Sequence, residues 1–434
     1  MHSNSTAPSV EHRAPHCPVL GAQDLRDTRV LDDVHAAYAR FREAGPAIWN
    51  DSLGLWVVTR YQDVKAALKD PRFSVDKINA FAARHRAAEV PPAEGSRAAA
   101  HLHSVELLSG ALSDWMVFAD PPRHAALRRA MQNAFLARDT PLLEPLVRSV
   151  VDELMQALDS GPCFELELVQ SFAYPLPAMV ISRLFGLSAD ASQLIKGWSE
   201  SLGRFVLGGA AVADRHQHAA QAVGEMAACF AELIKASRDG TNEAPFTRRL
   251  IRDGAHLGDE ELVHTLMLVL FAGHETTTNL IASGALVCAR SPELWARLRA
   301  QPSLLPEVVE EFLRLEGPVQ MVLRIAREDL CIGSQRIAAG QRVALVLNAA
   351  NRDPAVFDAP DSLDPSRRRG RHLAFGPGTH MCLGAPLARL VARIAFEALL
   401  ERYAALELLT DSLNWRAETI IHGLQRLPLR LRRA

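Results

Sequence analysis

Paired cysteines are missing from this chain. Its six cysteines, at 17, 163, 229, 288, 331 and 382, never fall in a CxxC spacing. That excludes a zinc ribbon, offers no disulfide framework, and points to a reducing compartment, so a cytoplasmic location is expected. Charge of one sign is missing too: 48 Lys and Arg against 50 Asp and Glu leave a formal net charge of -2. This argues against a nucleic-acid partner bound by a globally basic surface, and against an acidic tail. Long apolar runs are also missing. The strongest, Leu266 to Gly273, is far short of the roughly 20 residues that cross a bilayer, so no membrane anchor is expected. The first residues, M-H-S-N-S-T-A-P-S-V-E-H-R-A-P, are polar and carry no apolar core of a secretory leader. Residues 1–30 read as a flexible lead-in and residues 31–434 as one domain. Finally, no G-x-G-x-x-G follows a predicted strand and no cysteines cluster. The chain therefore shows no signature of a flavin, a bound dinucleotide or an iron–sulfur cluster.

What is there is one unusual decapeptide, Phe375 to Gly384, F-G-P-G-T-H-M-C-L-G. Cys382 sits within glycines at 376, 378 and 384, and an apolar helical pattern follows from about Ala385 to Leu400. Glycine lets the backbone bend sharply or approach a flat object closely. A cysteine at a helix start faces unpaired N–H groups and the positive end of the helix dipole, which favour thiolate over thiol. Taken alone, a single cysteine is most often a buried packing residue. The spacing around Cys382 is what singles it out.

The decapeptide resembles the haem-binding signature of the cytochrome P450 family, F-x-x-G-x-H-x-C-x-G, with Phe375, Gly378, His380, Cys382 and Gly384 in register. The resemblance extends from about Asp32 to the C-terminus. It implies a mainly α fold with small β-sheets, with haem b (iron protoporphyrin IX) between a long central helix and the cysteine loop. Cys382 would be the metal ligand, an axial thiolate that pushes electron density onto iron and favours O–O cleavage. Phe375 would pack beside the sulfur, and His380 would reach a haem propionate.

Three further motifs stand in the family's order. A helix is predicted from Asp259, as its cap, to about Arg290, and its middle holds Ala272, Gly273, His274, Glu275 and Thr276–Thr278. Glycine and three threonines are poor helix-interior residues. A threonine hydroxyl can bond the carbonyl four residues back, here Ala272, and bend the helix. A local rule broken inside a helix often marks a functional site. The stretch resembles the family's A-G-x-[D/E]-T, which implies that Ala272 and Gly273 leave room beside the haem. Thr276 would donate a hydrogen bond on the oxygen side, and Glu275 would relay protons inward, the general-acid work that O–O cleavage needs. After Asp120-Pro121-Pro122, His124 and Arg128 share one helix face; by the same resemblance they grip a propionate. Glu311-x-x-Arg314, ended by Gly317-Pro318, resembles the family's E-x-x-R, whose expected partner is Arg367. Arg324 matches another propionate-gripping arginine, a fork suited to carboxylates.

The rest is read element by element. Helices are expected over 32–44, 61–69, 141–158, 175–185, 191–206, 210–236 and 306–316. Residues 47–59 read as a hairpin, and Leu330 to Leu347 as paired strands turning at Ala339-Gly340. Segment 73–119 is the least legible, and the resemblance makes it the roof over the haem. His216 and His218 lack the second pair a metal site needs. Arg367 to Arg371 is a basic run where an acidic electron carrier could dock. Substrate contacts are expected, by resemblance, from Leu270, Phe271 and Thr277, from Val319, Val322 and Leu323, and from Ile420 and Ile421. They are mostly aliphatic, which suits a terpenoid, steroid, fatty-acyl or polyketide skeleton better than a charged one. The implied activity is a monooxygenase that inserts one oxygen atom of O2, most often as a hydroxylation. Its electrons would come from a separate ferredoxin and NAD(P)H-dependent ferredoxin reductase. The alternatives are a peroxide-using haem-thiolate enzyme, against which the intact Glu275-Thr276 pair speaks, and a non-enzymatic haem protein.

Overall fold

The apolar spacing of the central stretch places it inside the molecule, and the other helices are laid around it. A computed structural model of the chain describes residues 33–86, 97–135, 137–158, 161–207, 214–367, 371–416, 418 and 420–434. The proposed lead-in, and Arg368 to Gly370 of the basic run, lie outside the described residues. The central helix, Asp259–Arg290, is 32 residues long. From Leu262 to Leu286 every residue is buried except Ala272, Gly273 and Thr276. Around it pack Pro175–Phe185, Arg215–Arg238, Leu305–Leu315 and Ala385–Arg402. The helix begins one residue earlier than expected: Gly258 is the cap and Glu261 reaches back to accept from its N–H at 2.6 Å. Asp259 then sits in the first turn, where its charge still suits the dipole.

The 47–59 hairpin forms as read, with Ile48–Asn50 against Leu55–Val58 and Ile48 opposite Val57. It joins a five-stranded sheet with Arg342–Val346, Met321–Ala326 and Phe73–Ser74. The expected pairing within 330–347 is different. Leu330–Ile332 folds back on Gln335–Ile337, turning at Gly333, whose φ of 57° favours glycine. Arg342–Val346 instead pairs with Met321–Ala326 and runs parallel to Leu55–Val58. Alternation marks a strand but does not name its partner. A second sheet has Cys163–Glu167, Pro428–Arg433 and Tyr403–Leu408, with the C-terminal strand in the middle.

The described residues of segment 73–119 include two α-helices, Lys77–Arg86 and Arg97–Ser113, and a 3-10 turn, Met116–Phe118. The two α-helices pack together, and the second lies on Arg215–Arg238. Two helices absent from the reading, Pro245–Asp253 and Pro292–Ala300, each start on a proline, a residue pre-set for a first turn. Helix Ala189–Val206 is capped by Ser188, whose Oγ accepts from Ala191 N. Two clefts are formed by described residues, one behind Glu311 and Arg367 and bordered by His372, the other between Arg215–Arg238 and the start of the central helix.

Candidate active site

The cysteine loop owes its shape to two left-handed glycines, Gly376 (φ 62°) and Gly378 (φ 115°). A Cβ on Gly378 would also lie 2.8 Å from the Leu68 carbonyl, so this glycine lets the loop close on the C-terminal end of helix Tyr61–Ala67. Cys382 N–H donates to Phe375 O at 3.0 Å. Beyond Gly384 the helix Ala385–Arg402 begins, and the amides of Gly384 and Ala385 donate to the Cys382 sulfur. The amide donors inferred from the sequence are therefore present. The free thiol is nevertheless pushed up by burial, which outweighs those amides and the charges of Arg389 and Arg128. Desolvation of the charged form is the stronger effect here; a metal cation on the sulfur would reverse that balance. The residue as a whole still reaches solvent. Phe375 is clamped from behind by Arg389, 4.4 Å from its ring centroid, and Glu310 holds Arg389 at 2.5 Å.

The four residues assigned to propionates converge. The His124 and His380 rings lie 4.2 Å apart, and His124 Nε2 and His380 Nδ1 are buried without a hydrogen-bond partner. Arg324 is buried, and it donates to the neighbouring Leu323 carbonyl at 2.9 Å. Burial pulls its pKa down to about 10, and pulls His380 down to about 3 with help from the charges of His124 and Arg324. Arg128 donates to Met381 O at 3.0 Å, tying its helix to the cysteine loop. Desolvated cations and donors with so little opposite charge are costly. Asp120 is the nearby carboxylate, and it is engaged by Ser74, by Val75 N–H and by Arg327. The cluster thus fits a dianionic group such as the two propionates of a haem.

On the central helix, Ala272 and Thr276 interrupt the buried run and provide an opening, and Thr276 Oγ donates to Ala272 O at 2.8 Å. Thr277 repeats that bond to Gly273 O at 2.8 Å. Gly273 is half-buried, and a Cβ there would come within 2.7 Å of Ile181; its smallness serves contact with helix Pro175–Phe185. Glu275 points the other way, 3% exposed, with Arg416 at 3.2 Å and His274 at 3.5 Å. Burial alone would raise its pKa, but His274 and Arg416 hold the carboxyl below its ordinary value. Behind Arg416 stands Glu418, which burial pushes up to about 7. The reading missed Arg416 because 141 positions separate it from Glu275 and no local spacing links them.

Of the expected substrate contacts, two segments meet. Val319 bridges Ile421, and Gln320 N–H donates to Ile420 O at 2.9 Å. Val319, Val322, Leu323 and Ile420 are half-buried, while Ile421 is buried. On the central helix, Leu270 is fully enclosed in the core, Phe271 packs on Trp115 with ring centroids 5.4 Å apart, and Thr277 is buried. Glu311 takes Arg314 at 2.7 and 2.8 Å and Arg367 at 3.3 Å, as the E-x-x-R reading expects.

A sulfur on a rigid loop, a dianion cradle and a small opening in a helix together suit a haem-thiolate protein. The chain belongs to the cytochrome P450 family. The family model described as Cytochrome P450 matches residues 209–414. Cytochrome P450 monooxygenase PikC of Streptomyces venezuelae is 37% identical over 410 residues, 92% of each chain. Vitamin D(3) 25-hydroxylase of Pseudonocardia autotrophica is 34% identical, over 94% of this chain and 96% of that one. Among solved structures, P450BioI in complex with a hexadec-9Z-enoic acid-ligated acyl carrier protein aligns with a TM-score of 0.81 and 31% identity, over 93% of this chain and 100% of that one. The fold is accordingly that of a cytochrome P450, and the protein is an oxidoreductase that binds haem b.

Proposed function

We propose that the protein is a monooxygenase that inserts one oxygen atom of O2 into a hydrophobic small molecule, as a hydroxylation, and that it works in the cytoplasm as one haem domain. The observation that carries this is the Cys382 sulfur supported by two backbone amides, in a chain whose central helix has its buried run interrupted at Ala272 and Thr276. The haem, when bound, supplies activation of dioxygen and transfer of one oxygen atom to a C–H bond. Cys382 would hold the iron, and Phe375, Gly378 and Gly384 would shape the loop around it. His124, Arg128, Arg324 and His380 would hold the propionates. Thr276, whose hydroxyl donates to Ala272 O at 2.8 Å, would have to turn that hydrogen away from the carbonyl to donate into the opening, and Glu275 would move protons toward it from the Arg416 side. Ala272 keeps that side free of bulk, while Gly273 makes room for Ile181 on the neighbouring helix.

The aliphatic residues Val319, Val322, Leu323, Ile420 and Ile421 support a terpenoid, steroid, fatty-acyl or polyketide skeleton. The named relatives act on or bind such molecules: vitamin D3 in one case, a carrier-linked fatty acid in another. Among the described residues no helix is long and apolar enough to cross a membrane. Electrons would come from a separate ferredoxin and its NAD(P)H-dependent reductase. Of the basic run proposed to receive the carrier, Arg367 is engaged by Glu311 and by the Ala359 and Ser362 carbonyls, while Arg371 is exposed.

The test is reconstitution of the haem-loaded enzyme with a surrogate ferredoxin pair. Substrate should accelerate NAD(P)H consumption and yield product. Thr276→Ala should lower product per NAD(P)H by about tenfold and release peroxide instead. Turnover with peroxide but not with reductant and O2 would favour the peroxide-using alternative. A haem that binds ligands but never turns over would favour the non-enzymatic haem protein.

A further inference from the structure

Lys77 opens the helix Lys77–Arg86, directly after the strand Phe73–Ser74. Its ammonium lies over the Phe118 ring, 4.5 Å from the centroid. Phe118 stacks on Trp115, and Trp115 packs on Phe271 of the central helix, next to the open Ala272. One turn along from Lys77, on the same helix face, Phe81 packs on Phe205 of helix Ala189–Val206 and His216 of helix Arg215–Arg238. Lys77 therefore stands between an aromatic floor that leads to the candidate oxygen site and an aromatic roof.

No carboxylate of the described residues lies within ion-pair distance of this ammonium. Asp76 accepts from Asn79, Asp114 from Arg123 and His264, and Asp120 from Ser74, Val75 and Arg327. The ring face is its visible compensation, and a π face offsets only part of the cost of removing a charge from water. Burial accordingly pulls the ammonium down to about 8. The propionate cradle lies beside this position: Val75, two residues before Lys77, donates to Asp120, which acts on His380.

We propose that Lys77 is the anchor for a carboxylate at the far end of an otherwise aliphatic substrate. The ion pair would form against Phe118, and the chain would run along the Trp115–Phe271 wall toward Ala272 and Thr276. This rests on the monooxygenase reading and narrows it to amphipathic acids, whose aliphatic bodies suit the Val319–Leu323 and Ile420–Ile421 lining.

The experiment is a spectral titration of the haem-loaded enzyme with hexadecanoate, with its methyl ester, and with a neutral steroid. The wild type should bind the acid at least about tenfold more tightly than the ester, the range of a charge-assisted bond. Lys77→Met should remove that preference and leave the ester within about twofold of its wild-type affinity, which also controls for folding. Lys77→Arg should retain it. Equal binding of acid and ester by the wild type, or an acid preference that survives in Lys77→Met, overturns the proposal. So does a spectral response to the steroid with none to the acid. In each of those cases a saturable shift with a neutral ligand leaves the monooxygenase reading standing. Absence of a thiolate-ligated haem would instead remove that reading.

Discussion

Removing Arg416 should expose how the buried Glu275 carboxylate is kept charged. Glu275 is 3% exposed and Arg416 is its nearest cation, at 3.2 Å. In Arg416→Ala the carboxylate must either stay charged without that partner or take up a proton. Staying charged costs about 3–5 kcal/mol for a broken buried pair. Protonating a carboxyl of ordinary pKa 4.5 at pH 7 costs about 3.4 kcal/mol at 1.36 kcal/mol per unit. The cheaper route caps the loss near 3 kcal/mol, and His274, 3.5 Å away, softens it. Glu418 adds little, because its carboxyl is already raised to about 7. The sign with pH follows. A carboxyl held below its ordinary value stabilises the fold above that value, and the contribution is lost as pH falls through the folded pKa. The gap in thermal midpoint between wild type and Arg416→Ala should therefore be widest near pH 8 and close on acidification. Glu275→Gln/Arg416→Ala should recover at least about 2 kcal/mol relative to Arg416→Ala alone. A gap that does not change with pH, or a double variant no more stable than the single, would refute this reasoning.

Two further outcomes concern stability. A Cβ on Gly423 would overlap the Asn279 amide of the central helix. Gly423→Ala should cost about 1–3 kcal/mol as overpacking, and an unchanged thermal midpoint would contradict the packing described. Glu310 and Glu316 are both held down to about 2. Burial opposes this, but Arg389 and His372 outweigh it at Glu310, and His35 and Arg352 at Glu316. Each supplies up to about 3 kcal/mol above pH 4.5 that is lost as pH falls from there toward 2. Thermal scans between pH 7 and 3 should show this acid limb, and Glu316→Gln should flatten it; an acid limb of the same depth in that variant would contradict the assignment.

The parts legible in the sequence are those written in short spacings. The Phe375–Gly384 loop, the hairpin around Asn50-Asp51-Ser52 and the Glu311–Arg314 pair each lie within one or two turns of chain, where residue type and interval fix the geometry. Arg367 was reached across 56 positions only because a family pattern supplied the link. Pairings without such a pattern were invisible. Cys163 lies opposite Arg432, and Arg342 opposite Ile325 rather than within its own hairpin; alternation carries no address. Motif glycines also had unforeseen neighbours, Ile181 for Gly273 and the Leu68 carbonyl for Gly378. Lys77 carried no signal because its character comes from what surrounds it, an aromatic ring and no carboxylate. The same is true of Glu275, whose charge depends on an arginine in the C-terminal segment.

The central claim is that Cys382 holds the haem iron as a thiolate while His124, Arg324 and their neighbours hold its propionates. The most direct measurement is the carbon monoxide difference spectrum of the reduced, haem-loaded protein, taken for the wild type and for Cys382→Ser. The account predicts the thiolate-ligated signature in the wild type and its loss in the variant. The same spectrum from both proteins would contradict it, because the iron would then be held by another residue.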